Sequence, residues 1–466
     1  MRSNSRPIGI DLFSGAGGLS LGFEQAGFDV VASVEYDPVH AATHEFNFPH
    51  TQVICGSVAT LDAEALRAAA REGLGRHGRD AHTWDGRPDV MFGGPPCQGF
   101  SFIGKRLIDD PRNQLVFHFL RIVTELRPRY FVMENVPGMA RGGHASILEQ
   151  LIREFGGAGY RVVQPHRILN ASDFGVPQDR KRLFLIGACE TETLPSYPVP
   201  SVRPVPKRAI GQTAISEGPY PQGPTVWNAI GDLPDLDDFA RLSDSDTVRL
   251  TKARVASMEA KASPYARRLR GIEIDPADLS YGRVWDRSLL TGSTRTAHTD
   301  VSTKRFRATA RGTTEPISRF YKLDPRGLCN TLRAGSGSEH GAFTSPRPIH
   351  PYLPRVLSNR EAARLHSFPD WFRVHTTKWH GFRQIGNAVA PLVGRAVAAQ
   401  IVTALNIAPS KPIDTIELGN VDLLDLTMSQ AAEYFGADKN AIPAQRTRSA
   451  VTIKDQRDHA RVPTPV

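Results

Sequence analysis

From residue 7 to about 188 the chain alternates short apolar runs with helix-length amphipathic stretches, and this rhythm restricts the fold more than any other feature of the sequence. The runs are IGIDLF, VVASVE, PDVMFGG, YFVMENV, RVVQPHRIL and RLFLIGA, separated by segments such as 18–27, 62–74, 112–127 and 145–155. Strand-length runs rich in Val, Ile and Phe need burial on both faces, and helices crossing over between parallel neighbours supply it. The pattern predicts repeated βαβ units around a mostly parallel, buried sheet, an α/β fold.

From about 190 to 330 the rhythm gives way to Pro and Gly punctuation (YPVPSVRPVPKR, EGPYPQGP), one helix expected near 247–270, and basic Ser/Thr-rich stretches such as GSTRTAHTDVSTKRFRATARGTTEP. That composition suits a smaller, loop-rich second domain. Order returns after 355. SNREAARLHSF offers Ser358 as a helix cap with Glu361 three residues on, and APLVGRAVAAQIVTAL reads as a long buried helix. Residues 406–466 form a tail in which LTMSQAAEYFGADKNAI starts like a helix-turn-helix, with Thr427 as cap and Gly436 at the turn. Pro443 would fall inside the second helix, where it removes a donor and clashes. The tail therefore reads either as a DNA-reading element or as a structural helical appendage.

A chain of 466 residues is too long for one ordinary core. The start, MRSNSRPIGIDLF, has no apolar signal region and no run of some 18 apolar residues follows, so the expectation is a cytosolic protein with reduced thiols and no membrane span. Net charge is +9 and the pI about 9.5, which suits a polyanionic partner such as nucleic acid, though a solvated basic surface produces the same balance. The four cysteines, Cys55, Cys97, Cys189 and Cys329, are too far apart for a CxxC metal or redox pair, and no metal site is expected.

Several stretches carry chemistry. IDLFSGAGGLSLGFEQAG puts a Gly-rich turn between the first strand and the first helix, where backbone amides can approach a polar ligand. VVASVEYD ends the second strand at Glu35, where this topology sets an acid against ribose hydroxyls, and together the two favour an adenosine cofactor. In VMFGGPPCQGFS, Cys97 lies just past the carboxyl end of a strand, the edge at which open α/β sheets bind ligands. Two readings of Cys97 stand here: a small buried hydrophobe, or a sulfur presented by a proline-stiffened loop. RYFVMENVPG ends in Glu134 and Asn135 at the same edge, and a carboxyl group among apolar residues can act as an acid. FGVPQDRKRLFLIG sets Gln178, Arg180 and Arg182 at alternating positions entering a strand, on one face.

In chain order DLFSGAGG, the acid in VEYD, GGPPCQGFS, MENV, QDRKR, HPYLPRVLSNREAARLHSFPDWF and RQIGNAVAP make the chain resemble the DNA (cytosine-5)-methyltransferases, over residues 8–188 and about 325–402. The resemblance implies a Rossmann-like methyltransferase domain over 1–188, completed by 331–405, with target recognition in 189–330. It implies S-adenosylmethionine as methyl donor, contacted by Phe13, Gly15, Gly17, Gly18, Glu35, Tyr36, Ser57, Pro96, Asn387 and Val389. Ser57, in CGSV, stands where the family usually has an acid on the adenine. Catalysis falls to Cys97 as nucleophile with Glu134, Arg180 and Arg182, and DNA contacts to Gln98, Ser101 and Lys105 in a loop that closes over the duplex. The implied setting is a monomer on double-stranded DNA in the bacterial cytoplasm, either in restriction-modification, with a cognate restriction endonuclease acting separately, or in solitary methylation. Two rivals remain, transfer-RNA methylation and a DNA-binding regulator without catalysis; the FPD segment with the large recognition region disfavours the first, and intact Cys97, Glu134 and Arg182 the second. Because the motifs end near 402, removing the tail from about residue 410 is expected to leave the methylated sequence context unchanged.

Overall fold

The protein is described here by a computed structural model over residues 6–96, 114–208, 219–335 and 346–437. Four expected strands, β1 (Ile8–Leu12), β2 (Asp29–Glu35), β4 (Val90–Gly93) and β5 (Tyr130–Asn135), and one the apolar runs did not include, β3 (Gln52–Cys55), lie side by side in the order β3-β2-β1-β4-β5, all parallel. Between them run α1 (Gly18–Gln25), α2 (Pro38–Asn47), α3 (Ala63–Arg76) and α4 (Leu115–Leu126), and α5 (Ala145–Gly157) follows β5. Parallel pairing ends there. The expected single strand in RVVQPHRIL is two, β6 (Tyr160–Val162) and β7 (Arg167–Asn170), broken at Pro165, which has no amide to give a ladder. Both pair antiparallel with β9 (Lys181–Cys189), which follows the short β8 (Gln178–Asp179) and is itself antiparallel to β5. The sheet is mixed, with the strand order reversing between β1 and β4, the position at which doubly wound sheets open a ligand crevice at their carboxyl edge.

The second half of the chain contributes α6 (Val226–Ile230), α7 (Lys252–Lys261), α8 (Pro264–Leu269) and α9 (Asp300–Ala308) with the short strands β10 (Val248–Arg249), β11 (Gly282–Val284), β12 (Leu289–Leu290), β13 (Thr313–Thr314), β14 (Tyr321–Lys322) and β15 (Cys329–Asn330). The single helix expected near 247–270 is thus two, because Ser263 caps a new helix whose first residue is Pro264. A small apolar centre of Leu236, Leu242, Leu250, Met258 and Leu290 holds this region together. Then come α10 (Asn359–Leu365), capped reciprocally by Ser358 and Glu361 as the sequence predicts, α11 (Lys378–Asn387) and α12 (Pro391–Ala404). The buried Arg364 joins them to the segment after α6: it donates to both carboxylate oxygens of Asp370 at 2.8 Å and to Asp232. Last are β16 (Thr415–Glu417) and α13 (Met428–Tyr434), the latter capped by Thr427. The second helix expected in the tail, with Pro443, lies outside the described residues.

The two faces of the sheet are covered from different parts of the chain. On one, α3, α4 and α5 bury Leu66, Leu74, Phe119, Val123, Leu151 and Phe155. On the other, α1 is joined by α12, so that Leu19 and Phe23 share a core with Val393, Val397 and Ile401. The Lys378–Ala404 stretch is apolar and long enough to cross a membrane, but it breaks at Ala388–Ala390 and more than half of it is buried in protein, as a core element is. The two helices touch backbone to backbone: a Cβ on Gly22 would stand 2.7 Å from the Gly394 Cα, the Arg395 nitrogen and the Pro391 oxygen. Gly22→Val is therefore expected to force α12 off the sheet and lower unfolding free energy by roughly 3 kcal/mol or more, read from urea denaturation.

Candidate active site

The carboxyl edge at the β1/β4 switch gathers most of the residues singled out by sequence. After β1 the chain turns through Phe13, Gly15 and Gly17, all at positive φ, and Gly17 forms the cap of α1. Glu35, at the end of β2, organises this turn: Oε2 accepts from the Gly15 amide at 2.7 Å and Oε1 from the Asp37 amide at 2.8 Å. Burial pushes the Glu35 carboxyl up to about 7 against the pull of those two amides. Tyr36 is 48% exposed at the rim, and the positions a Cβ would take on Gly15 and Gly56 face open space. A carboxylate at the strand end, a free aromatic face and an open glycine cradle fit an adenosine. The Ser57 hydroxyl accepts from the Ala59 amide at 3.2 Å, steadying the turn after β3.

Next to this cradle β4 ends at Gly93 and the chain runs on through Gly94, Pro95 and Pro96, with Pro96 exposed. Cys97, Gln98, Ser101 and Lys105 lie outside the described residues. The neighbouring strand end carries Glu134, only 9% exposed, whose Oε1 is 2.8 Å from Arg182 Nε. Burial raises the Glu134 pKa, while Arg182 and then Arg180 oppose the rise. The approach needs glycine beside it, since a Cβ on Gly94 would sit 2.8 Å from Glu134 Oε2. Asn135 donates to the Pro95 carbonyl at 3.3 Å and so fixes the outgoing β4 loop.

The expected common face of Gln178, Arg180 and Arg182 divides into two jobs, because β8 and β9 are separate strands with different partners. Arg182 meets Glu134 across the β5–β9 pairing. Arg180, expected among the catalytic groups, is instead fully buried and donates to the carbonyls of Leu332, Gly386 and Ala388 at 2.8–2.9 Å. Both terminal nitrogens are thus committed to the C-terminal segment, while Nε has no hydrogen-bond partner among the described residues. Gln178 does the same work, accepting from the Leu332 amide at 3.0 Å and donating to the Leu365 carbonyl and His366 Nδ1. His366 must then carry its proton on Nε2, which reaches the Ala388 carbonyl at 2.9 Å. These bonds seat Val389 against Gly18, whose added Cβ would come within 2.4 Å of the Val389 oxygen, and leave Asn387 exposed at the cradle side.

Beneath the glycine turn lies a group that sequence reasoning missed. Asp11 Oδ2 accepts from Ser20 at 2.5 Å, and Ser20 contacts His44 Nε2 at 3.0 Å, all fully buried. Burial raises the Asp11 carboxyl well above its ordinary range. The signal was an acid inside the apolar run IGIDLF. Also missed was α2, although DPVH carries an Asp cap followed by proline at the first helical position.

The chain matches the sequence model of the family "C-5 cytosine-specific DNA methylase" over residues 9–403. It is 52% identical over 444 residues to the Type II methyltransferase M.XorII of Xanthomonas oryzae pv. oryzae, covering 95% of this chain and 96% of that protein. It is 32% identical to the Type II methyltransferase M.AgeI of Thalassovita gelatinovora, covering 85% of this chain and 99% of that protein. Among solved structures it resembles a DNA modification methyltransferase encoded within an E. coli prophage, with TM-score 0.63, 34% identity, and coverage of 86% of this chain and 99% of that one. A match that runs through both the sheet and the distant segment that completes it puts this chain in the C-5 cytosine-specific DNA methylase family: it is a DNA (cytosine-5)-methyltransferase using S-adenosylmethionine as methyl donor.

Proposed function

We propose that Cys97, Glu134 and Arg182 carry the reaction, on a cytosine turned out of double-stranded DNA. The observation that supports this most is the Glu134–Arg182 pair at the strand end next to the β4 loop that leads directly into Cys97. Cytosine C5 is too weak a nucleophile to be methylated unaided. In this reading the Cys97 thiolate bonds to C6, Glu134 delivers a proton to N3, Arg182 holds the ring oxygen O2 and the Glu134 carboxyl together, and the displaced electron pair is then available at C5. Bound S-adenosylmethionine supplies an electrophilic methyl group. A solvent base then takes the C5 proton, the Cys97 thiolate is expelled, and N3 returns its proton to Glu134, which restores the ring. Phe13, Gly15, Gly17, Gly18, Glu35, Tyr36, Ser57, Pro96, Asn387 and Val389 would hold the donor, and Gln98, Ser101 and Lys105 the DNA. Reaching a base inside a duplex costs a few kcal/mol of unstacking, which contacts from the recognition region would offset.

The division into 1–188 with 331–405 as catalytic domain, 189–330 as recognition domain and 406–466 as tail belongs to the same proposal. So does the setting: a monomer on bacterial cytoplasmic DNA, with a cognate endonuclease acting separately, as the names of the Type II relatives suggest. Bisulfite sequencing of DNA from cells expressing the chain is expected to find cytosines protected in one sequence context. Conversion of every cytosine, with methyl transfer to transfer RNA in vitro, would reject the DNA reading.

A further inference from the structure

The segment 413–437, beyond the last recognised motif, is bound to the body of the enzyme at every turn. β16 pairs parallel with β11 of the recognition region. The Gly419 amide donates to the Phe46 carbonyl at 2.9 Å, where a Cβ on Gly419 would be 2.9 Å from the Phe46 Cα. Leu423 and Leu424 are buried against Ala42 and Phe46 of α2, with Leu418, Leu426 and Phe435 around them. Tyr434 donates to Glu45 at 2.7 Å.

The other side of the segment grips the residues that lead into α11. The Thr376 amide donates to the Leu424 carbonyl at 3.1 Å and its hydroxyl to Asp425. His375 Nδ1 accepts from the Thr377 amide at 3.1 Å, so Nε2 carries the proton and donates to the Leu426 carbonyl at 3.1 Å. Inside this clamp α2 and α11 are already cross-tied: Gln384 donates to Thr43 at 2.8 Å and accepts from the His375 amide at 2.8 Å, while Asn47 donates to the Arg373 carbonyl at 2.8 Å.

These two helices flank the adenosine cradle. α2 begins at Asp37, immediately after Glu35 and Tyr36, and its cap carboxylate lies 3.4 Å from Arg383 of α11. α11 ends at Asn387, two residues before Val389. The outer ends of α2 and α11 are thus fastened by the C-terminal segment, and their inner ends form the two walls of the cofactor site. We propose that residues 413–437 are a strap that acts through α2 and α11 to set the affinity for S-adenosylmethionine, a role that rests on the assignment of Glu35, Tyr36, Asn387 and Val389 to that site. None of the strap residues touches the cofactor; they are positioning residues.

The test uses the full-length chain. Leu424→Ala opens the apolar seam, and the double variant Tyr434→Phe with Thr376→Val removes only polar anchors at the surface. Steady-state methylation of a duplex substrate is measured over cofactor and DNA concentrations, with fold checked by circular dichroism. For Leu424→Ala, KM for S-adenosylmethionine is expected to rise about tenfold, with kcat at saturating cofactor and KM for DNA within about twofold. The double variant is expected to raise the same KM several-fold, and it decides the matter if Leu424→Ala does not fold. Folded variants with unchanged KM for the cofactor would overturn the proposal. So would a rise confined to KM for DNA, which would make the strap a brace for the recognition region. Glu35→Ala run in parallel separates the two claims: if it binds the cofactor normally, the site assignment fails, and if it binds weakly while the strap variants bind normally, only the strap proposal fails.

Discussion

Replacing Cys97 with alanine is expected to lower methyl transfer at least about a thousandfold, since removal of a nucleophile leaves only binding and electrostatic assistance. Cofactor and DNA binding should persist, because the glycine turn with Glu35 and the apolar centre of the proposed recognition region are built without the thiol. The variant also yields a sharper measurement. In a duplex whose target cytosine carries fluorine at C5, the Cys97–C6 bond can form and the methyl group can be taken up, but no C5 proton is left to depart. Elimination then stops and enzyme and DNA stay joined. The joined species should survive denaturing electrophoresis, need S-adenosylmethionine for efficient formation, and be absent with Cys97→Ala. Ordinary turnover without trapping would exclude C6 addition and indicate methylation of an exocyclic nitrogen.

Glu134→Gln is expected to slow the single-turnover rate about 10²- to 10⁴-fold, the span usual for removing a positioned acid, with both ligands still bound. The amide can donate a hydrogen bond to N3 but cannot hand over a proton. The pH dependence follows from the position of the group. Burial raises the Glu134 pKa and Arg182 opposes the rise, so the protonated, proton-donating form extends to higher pH than in a free glutamic acid. The wild-type rate should fall as pH climbs through that raised pKa, and the variant should lose this limb. A variant with near-normal turnover, or one that keeps the same limb, would remove Glu134 from the reaction.

The parallel half of the sheet was legible because its strands are apolar on both faces and its helices fill the spacing between them. The antiparallel half was not: β6, β7 and β9 carry the same Val, Ile and Leu composition, and direction is decided by connections that periodicity does not record. α2 was overlooked although its Asp37-Pro38 start signals a helix, because its buried polar residues His40, Thr43 and His44 blur the apolar stripe. The position of Glu35 and Glu134 at strand ends was readable from the apolar runs that precede them. Arg180 was not, because alternation assigns a face but cannot tell a free guanidinium from one answered by three carbonyls more than 150 residues away. The tail was read from its helix signals alone, whereas what defines it is the leucine seam against α2, made of residues that are ordinary in sequence.

The reach of Arg180 also bears on how the enzyme comes into being on the ribosome. It lies between β8 and β9, both finished before residue 190, yet one of its acceptors, the Ala388 carbonyl, lies 208 residues further on. At 5–20 residues per second that interval is about 10–40 s, during which the cation lacks its Gly386 and Ala388 acceptors and the outer face of α1 has no α12 to cover it. A nascent chain therefore has every strand of its main sheet long before α12 covers α1, and one cut short between residue 190 and α12 holds the proposed Cys97, Glu134 and Arg182 but not the helix that packs on α1. Modification capacity is therefore expected to arise only once α12 has been made, and chains that stop short of it are expected to leave DNA unmarked.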